Sequence, residues 1–291
     1  MLFISQKFPL DQVTLAILKS IDGNTKIQGI DYFVIGAMAR DIILQHVFEI
    51  GPIRATRDID FAFAVQNWET FDRIKKQLLQ NDNRFTYGSN KEPYRLIYTM
   101  EIDSVESTRP VDILPFGGVE NFDHSILWPP DMDVMMTVMG FSEASRSTVM
   151  VECDSSLTIP VASVPGLAML KLISWMERTG DNRKDAQDFS LYLHKYADLG
   201  NMDRLYGKEL ALLEAAKYDP EKAGARLLGK DVASISSHTT KEKIKKILLI
   251  EKNKDLLITH MTTGYFLDEK KIETTGIFLE EFTNGFNNII L

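Results

Sequence analysis

The stretch Arg57-Asp58-Ile59-Asp60-Phe61-Ala62-Phe63 places two carboxylates two residues apart in an apolar run. Read as a β-strand, its side chains alternate between two faces. Ile59, Phe61, Phe63 and Val65 then share a core face, while Asp58 and Asp60 share the other with the small residues Ala62 and Ala64. Two carboxylates on one strand face repel unless a positive charge lies between them. A hard divalent cation meets that need, because it takes oxygen ligands and leaves positions open for water or phosphate.

Upstream, Asp31-Tyr-Phe-Val-Ile-Gly36-Ala37-Met-Ala-Arg40-Asp41-Ile-Ile-Leu44 reads as a short buried strand, a glycine turn and a helix beginning near Ala37. Gly36 permits a tight turn and close approach to a ligand. The first N–H groups of the helix form a phosphate cradle, and Arg40 in the first turn is suited to an anion. The structural alternative is an ordinary turn with a solvent-facing Arg40. Downstream, Arg109-Pro-Val-Asp112-Ile-Leu-Pro-Phe116 interrupts an apolar run with one acid. A lone buried carboxylate is costly, so Asp112 either has a partner or sits on an edge strand. Beside Asp58 and Asp60 it would serve as a third metal ligand and a base.

A fourth segment follows Ser163, which with Pro165 marks a helix start; Gly180 marks its stop. Lys171 sits among Leu167, Leu170, Leu172 and Trp175, poor placement for a solvated lysine, and Arg178 lies two turns on along the same face. Two cations on one apolar helix face suggest nucleotide phosphates. Asp181 or Asn182 caps the next helix, where Asp185 and Asp188 are neighbours. The alternative is a Lys171 stem that snorkels and an Arg178–Asp185 ion pair.

In order, these motifs resemble the DNA polymerase β-like nucleotidyltransferase superfamily. Ile35-Gly-Ala-Met-Ala-Arg-Asp41, Thr56-Arg-Asp-Ile-Asp-Phe61, Val111-Asp-Ile-Leu-Pro-Phe-Gly-Gly118 and the segment from Leu170 to Asp188 are similar to AbiEii-type nucleotidyltransferase toxins of type IV toxin–antitoxin systems. The resemblance spans about two thirds of the chain, roughly residues 30 to 196. One departure is Ala37, where the wider superfamily often has serine; backbone and Arg40 must then hold the phosphate. The resemblance implies Mg²⁺ (or Mn²⁺) held by Asp58, Asp60 and Asp112, and nucleotide binding by Gly36, Ala37, Arg40, Lys171, Arg178 and either Asp185 or Asp188. It implies an NTP substrate, two cations in the usual arrangement, tRNA as acceptor and a cognate antitoxin. Transfer to a small molecule or protein side chain, or nucleotide binding without chemistry, are the alternative functions.

The expected architecture is α/β, a nucleotidyltransferase domain of mixed sheet over residues 1–162 followed by an all-helical domain over 163–291, with the active site in a cleft between them. Strand-like stretches fall at Tyr32–Ile35, Ile59–Val65, Tyr94–Ile102, Val111–Leu114, Thr148–Cys153 and Leu157–Val161. Helical stretches fall at 9–21, Ala37–Phe48, Trp68–Gln80, 165–178, 182–196, 203–217, 220–228 and 240–259. The 291 residues contain 44% apolar side chains, one cysteine (Cys153) and a net charge of −8. That excludes a disulfide framework and a cysteine zinc site, and argues against a general nucleic-acid coat. A local basic strip from Lys241 through Lys243, Lys245, Lys246 and Lys252 to Lys254 is the candidate RNA contact. No apolar run nears the roughly 18 residues of a membrane span, and no signal segment opens the chain; the cytoplasm is the expected compartment.

Overall fold

The computed structural model describes residues 1–51, 56–88, 92–178, 183–263 and 269–287. The chain divides into two compact units, Met1–Ser163 and Val164–Leu291. The first is built on a mixed sheet whose strands are β1 (Leu2–Phe3), β2 (Tyr32–Ile35), β3 (Ile59–Val65), β4 (Phe85–Tyr87), β5 (Arg95–Ile102) and β6 (Val105–Gly117), with β9 (Val149–Asp154) and β10 (Leu157–Val161). A separate hairpin joins β7 (Ser125–Leu127) to β8 (Met135–Thr137). The order across the main sheet is β1-β9-β10-β2-β3-β6-β5-β4. β3 lies in its middle, antiparallel to β2 and parallel to β6.

The expected alternation in β3 holds. Ile59, Phe61 and Phe63 are fully buried and Val65 nearly so, whereas Asp60 and Ala64 are half-buried. Ala62 is buried as well, so the second face of the strand is itself covered there. Helix α1 (Gln12–Gln28) buries Val13, Ile17, Leu18 and Ile21. It is capped by Asp11, whose side chain accepts from Thr14 N–H, and it ends at Gly29 in the left-handed region. Two further turns therefore follow the 9–21 segment read as helical. α2 (Gly36–Asp41) does not run on as a regular helix to Phe48. It passes into a π-helix over Ile42–Val47, closed by Phe48 N–H donating to Ile43 O. Such widened turns recur at functional sites. α3 (Trp68–Asn81) is capped by Asn67 and turns Phe71, Ile74 and Leu78 inward; α4 is the short Phe141–Arg146.

Among its described residues the second unit is helical: α5 (Val164–Glu177), α6 (Arg183–Lys195), α7 (Met202–Leu205), α8 (Leu210–Ala215), α9 (Pro220–Ile235), α10 (His238–Leu249), α11 (Glu251–Thr262) and α12 (Glu269–Phe286). The single helices expected over 203–217 and 240–259 are each broken in two. Ile250 adopts an extended ψ of 111°, so Glu251 opens α11 instead of continuing the face of Ile244, Ile247 and Leu248. α12 lies beyond every segment read as helical, and it packs along α9. Gly229 and Gly285 permit that close crossing, since a Cβ at either would collide with the facing helix backbone. The expected helix stop at Gly180 and cap at Asp181 or Asn182 lie outside the described residues. No described helix is long and apolar enough to cross a membrane.

Candidate active site

Sheet register assembles the acidic residues. β2 pairs with β3 so that Ile35 faces Asp60, and β3 pairs with β6 so that Asp60 faces Asp112. Asp58 lies one residue ahead of β3, where Thr56 Oγ1 donates to its Oδ1 at 2.8 Å. One carboxylate oxygen from each of Asp58, Asp60 and Asp112 falls within 4.8 Å of the others. Asp58 and Asp60 are half-buried, while Asp112 is 6% exposed. The donor set is all oxygen, which fits Mg²⁺ or Mn²⁺.

Gly36 closes the same corner. Its φ is +70°, and a Cβ built there would collide with the Asp60 carboxylate. Glycine is therefore demanded twice, by backbone conformation and by contact with a metal-ligand candidate. Ala37 follows at the start of α2. Arg40 is not solvent-facing. It is 1% exposed, and its Nε donates to Asp41 Oδ1 at 2.8 Å.

Asp112 does not sit on an edge strand, since β6 runs between β3 and β5. Its partner is Arg95, a residue that sequence reading missed. Arg95 Nε donates to Asp112 Oδ1 and its Nη2 to Oδ2, both at 2.7 Å, while Nη1 donates to Glu92 at 2.8 Å. Burial pushes the Asp112 carboxyl above its usual range, against the opposing pull of Arg95. The hydrogen bonds to Asp112 in turn raise the Arg95 guanidinium. A signal for the pair was present. Asp103 and Ser104 both take positive φ, forming a two-residue hairpin turn between β5 and β6. Such a turn pairs Ile102 with Val105 and, seven steps out, Arg95 with Asp112.

Lys171, on α5 of the second unit, is 14% exposed at its side chain, and its Nζ lies 2.8 Å from both Asp185 and Asp188. Burial alone would lower the ammonium, but Asp188 and Asp185 outweigh it and raise it. Arg178 Nη1 lies 3.2 Å from the second oxygen of Asp185, with a side chain 66% exposed. The ion-pair arrangement weighed from the sequence is therefore present, and both acids belong to it. In the lysine strip, Lys243 pairs with Glu177, and Lys245 with Glu242 at 2.8 Å. Cys153 is half-buried, and burial pushes its thiol up to about 12, which disfavours the thiolate at neutral pH.

No family model matches the sequence, and neither does any curated protein. Among solved structures, the chain is similar to an antigenic nucleotidyltransferase-like protein from Paracoccidioides brasiliensis, at 16% identity and a TM-score of 0.45, over 72% of this chain and 94% of that one. It is also similar to the antibiotic-resistance factor ANT(2'')-Ia, at 12% identity and a TM-score of 0.34, over 72% of this chain and 99% of that one.

Proposed function

We propose that this protein is a metal-dependent nucleotidyltransferase, moving a nucleoside monophosphate from an NTP to an acceptor hydroxyl. The observation that carries this reading is the convergence of Asp58, Asp60 and Asp112 within 4.8 Å, beside a glycine turn that opens a helix. Asp58, Asp60 and one oxygen of Asp112 would hold the cation. When bound, Mg²⁺ supplies neutralisation of the triphosphate and of the charge that develops in transfer. Asp112, desolvated and anchored by Arg95, takes the acceptor's hydroxyl proton. The acceptor oxygen bonds to the α-phosphorus, the bond from that phosphorus to the β-phosphate oxygen breaks, and pyrophosphate leaves. Backbone N–H groups at Gly36 and Ala37 meet the phosphates, while Arg40, in the same short helix, is buried and ion-paired with Asp41. Lys171, Arg178 and Asp188 are separately proposed as nucleotide contacts of the second unit, on the family resemblance.

For the acceptor, tRNA is the first proposal, with the protein acting as the toxin of a pair restrained by an antitoxin; this follows the resemblance of its motifs to those of AbiEii-type toxins. A second reading, transfer to a small molecule or protein side chain, is favoured by the lysine strip. Two of its cations already face acids, and the chain's net charge is −8. The test is incubation with each labelled NTP and Mg²⁺ against RNA, protein and small-molecule pools. Label in RNA supports the first reading, and label elsewhere the second. NTP binding without transfer overturns both.

A further inference from the structure

Arg95 meets the acidic cluster at Asp112, through both carboxylate oxygens. A guanidinium fork spends two donors on the two oxygens of Asp112, each at 2.7 Å. A carboxylate offers about four lone-pair sites, and a fork of this kind uses one on each oxygen. Asp112 therefore retains single-oxygen sites for a cation, but it cannot chelate one through both oxygens without displacing the fork. At 6% exposure it has little water to take the fork's place. Arg95 is itself restrained from behind by Glu92 at 2.8 Å, and its place opposite Asp112 is set by the β5–β6 register.

We infer that Arg95 is a positioning residue of the acidic cluster: its fork holds Asp112 as a one-oxygen, partly neutralised ligand and so keeps the binding of a bare cation weak. This rests on the metal-site reading of Asp58, Asp60 and Asp112. It adds that the cluster contains its own competitor for the cation. Full cation occupancy then depends on the further negative charge that a triphosphate brings, which ties metal loading to substrate.

The test uses Mn²⁺ alone, with no nucleotide, titrated into the full-length metal-free protein and followed by electron paramagnetic resonance. Arg95→Ala is expected to tighten Mn²⁺ binding by about tenfold at low salt, since a charge next to a ligand is removed. In an Asp112→Asn background the same change should alter affinity less than about twofold, because the effect runs through Asp112. Arg95→Lys keeps a charge without the fork, and we expect it to tighten binding by about threefold; it serves if Arg95→Ala fails to fold. Unchanged or weakened Mn²⁺ binding in either Arg95 variant overturns the inference, as does equal tightening in the Asp112→Asn background. The metal-site reading fails separately, and the inference with it, if wild-type protein binds no Mn²⁺ or Asp58→Asn binds it as well as wild type.

Discussion

Two partly buried charge clusters, one in each unit, combine aspartates with basic side chains in different arrangements. In the second unit, Asp185 and Asp188 meet Lys171, and Arg178 approaches Asp185 from the surface. The acids and cations there face one another. In the first unit, Asp58, Asp60 and Asp112 turn their oxygens toward a common point, and Arg95 holds Asp112 while sharing itself with Glu92. Desolvated charge is tolerated when it is paired and hydrogen-bonded. A cluster whose charges face each other satisfies that requirement within the fold. A cluster whose carboxylates also converge on a shared point has, beyond such partners, the geometry to take a cation, which is the physical case for proposing metal chemistry in the first unit.

The largest expected effect separates the two by what their loss removes. Asp58→Ala or Asp60→Ala should reduce labelled-NMP transfer by about a thousandfold or more, since the ligand set is broken. The metal-free melting temperature should stay level or rise, because a like charge has gone; a lowered melting temperature would make the acids structural and erase the contrast. Lys171→Ala should do the reverse, costing about 3–5 kcal/mol of stability by leaving Asp185 and Asp188 buried without their ammonium. Thermal or urea unfolding measures this. NTP affinity measured well below the melting point then decides the nucleotide role of Lys171, an unchanged value leaving it a structural ion.

Gly36→Ala probes the corner where backbone and acid meet. The left-handed φ and the collision with Asp60 should cost about 1–3 kcal/mol. Displacing the Asp60 carboxylate should slow transfer by about tenfold to a hundredfold. Loss of stability without loss of transfer would show that Asp60 can move freely and is no ligand. The smallest effect is a pH dependence. Lys171 is raised in the folded state, so its stabilisation is fully present below the unfolded lysine value of about 10.4 and is lost as pH rises through the folded value. The stability gap between wild type and Lys171→Met should be flat from about pH 6 to 9 and shrink above about 10.4. A gap that shrinks near neutral pH would contradict the buried pair.

What could be read from the sequence was local periodicity, and what escaped it was register. Asp58 and Asp60 stand out because a strand puts alternate residues on one face, and Asp112 because it interrupts an apolar run. Arg95 is invisible to both tests, since its meaning lies seventeen residues away across a hairpin. Only the Asp103–Ser104 turn, itself an unobtrusive pair, encodes that pairing. The break at Ile250 escaped for a related reason. Apolar residues at helical spacing run through it, and nothing in Leu248-Leu249-Ile250-Glu251 marks a stop, although both Leu249 and Ile250 end up exposed. Likewise the passage of α2 into a π-helix leaves no trace in the apolar pattern of Ile42, Ile43 and Leu44, which are buried there.

The most direct test of the central claim is Mn²⁺ binding by metal-free wild-type protein compared with the Asp58→Asn/Asp60→Asn double variant, followed by electron paramagnetic resonance with and without a non-hydrolysable NTP analogue. We expect saturable binding by wild type that tightens when the analogue is present, and its loss in the double variant while the fold, read by circular dichroism, is kept. Equal Mn²⁺ binding by the two proteins would contradict the assignment of Asp58, Asp60 and Asp112 as the metal centre.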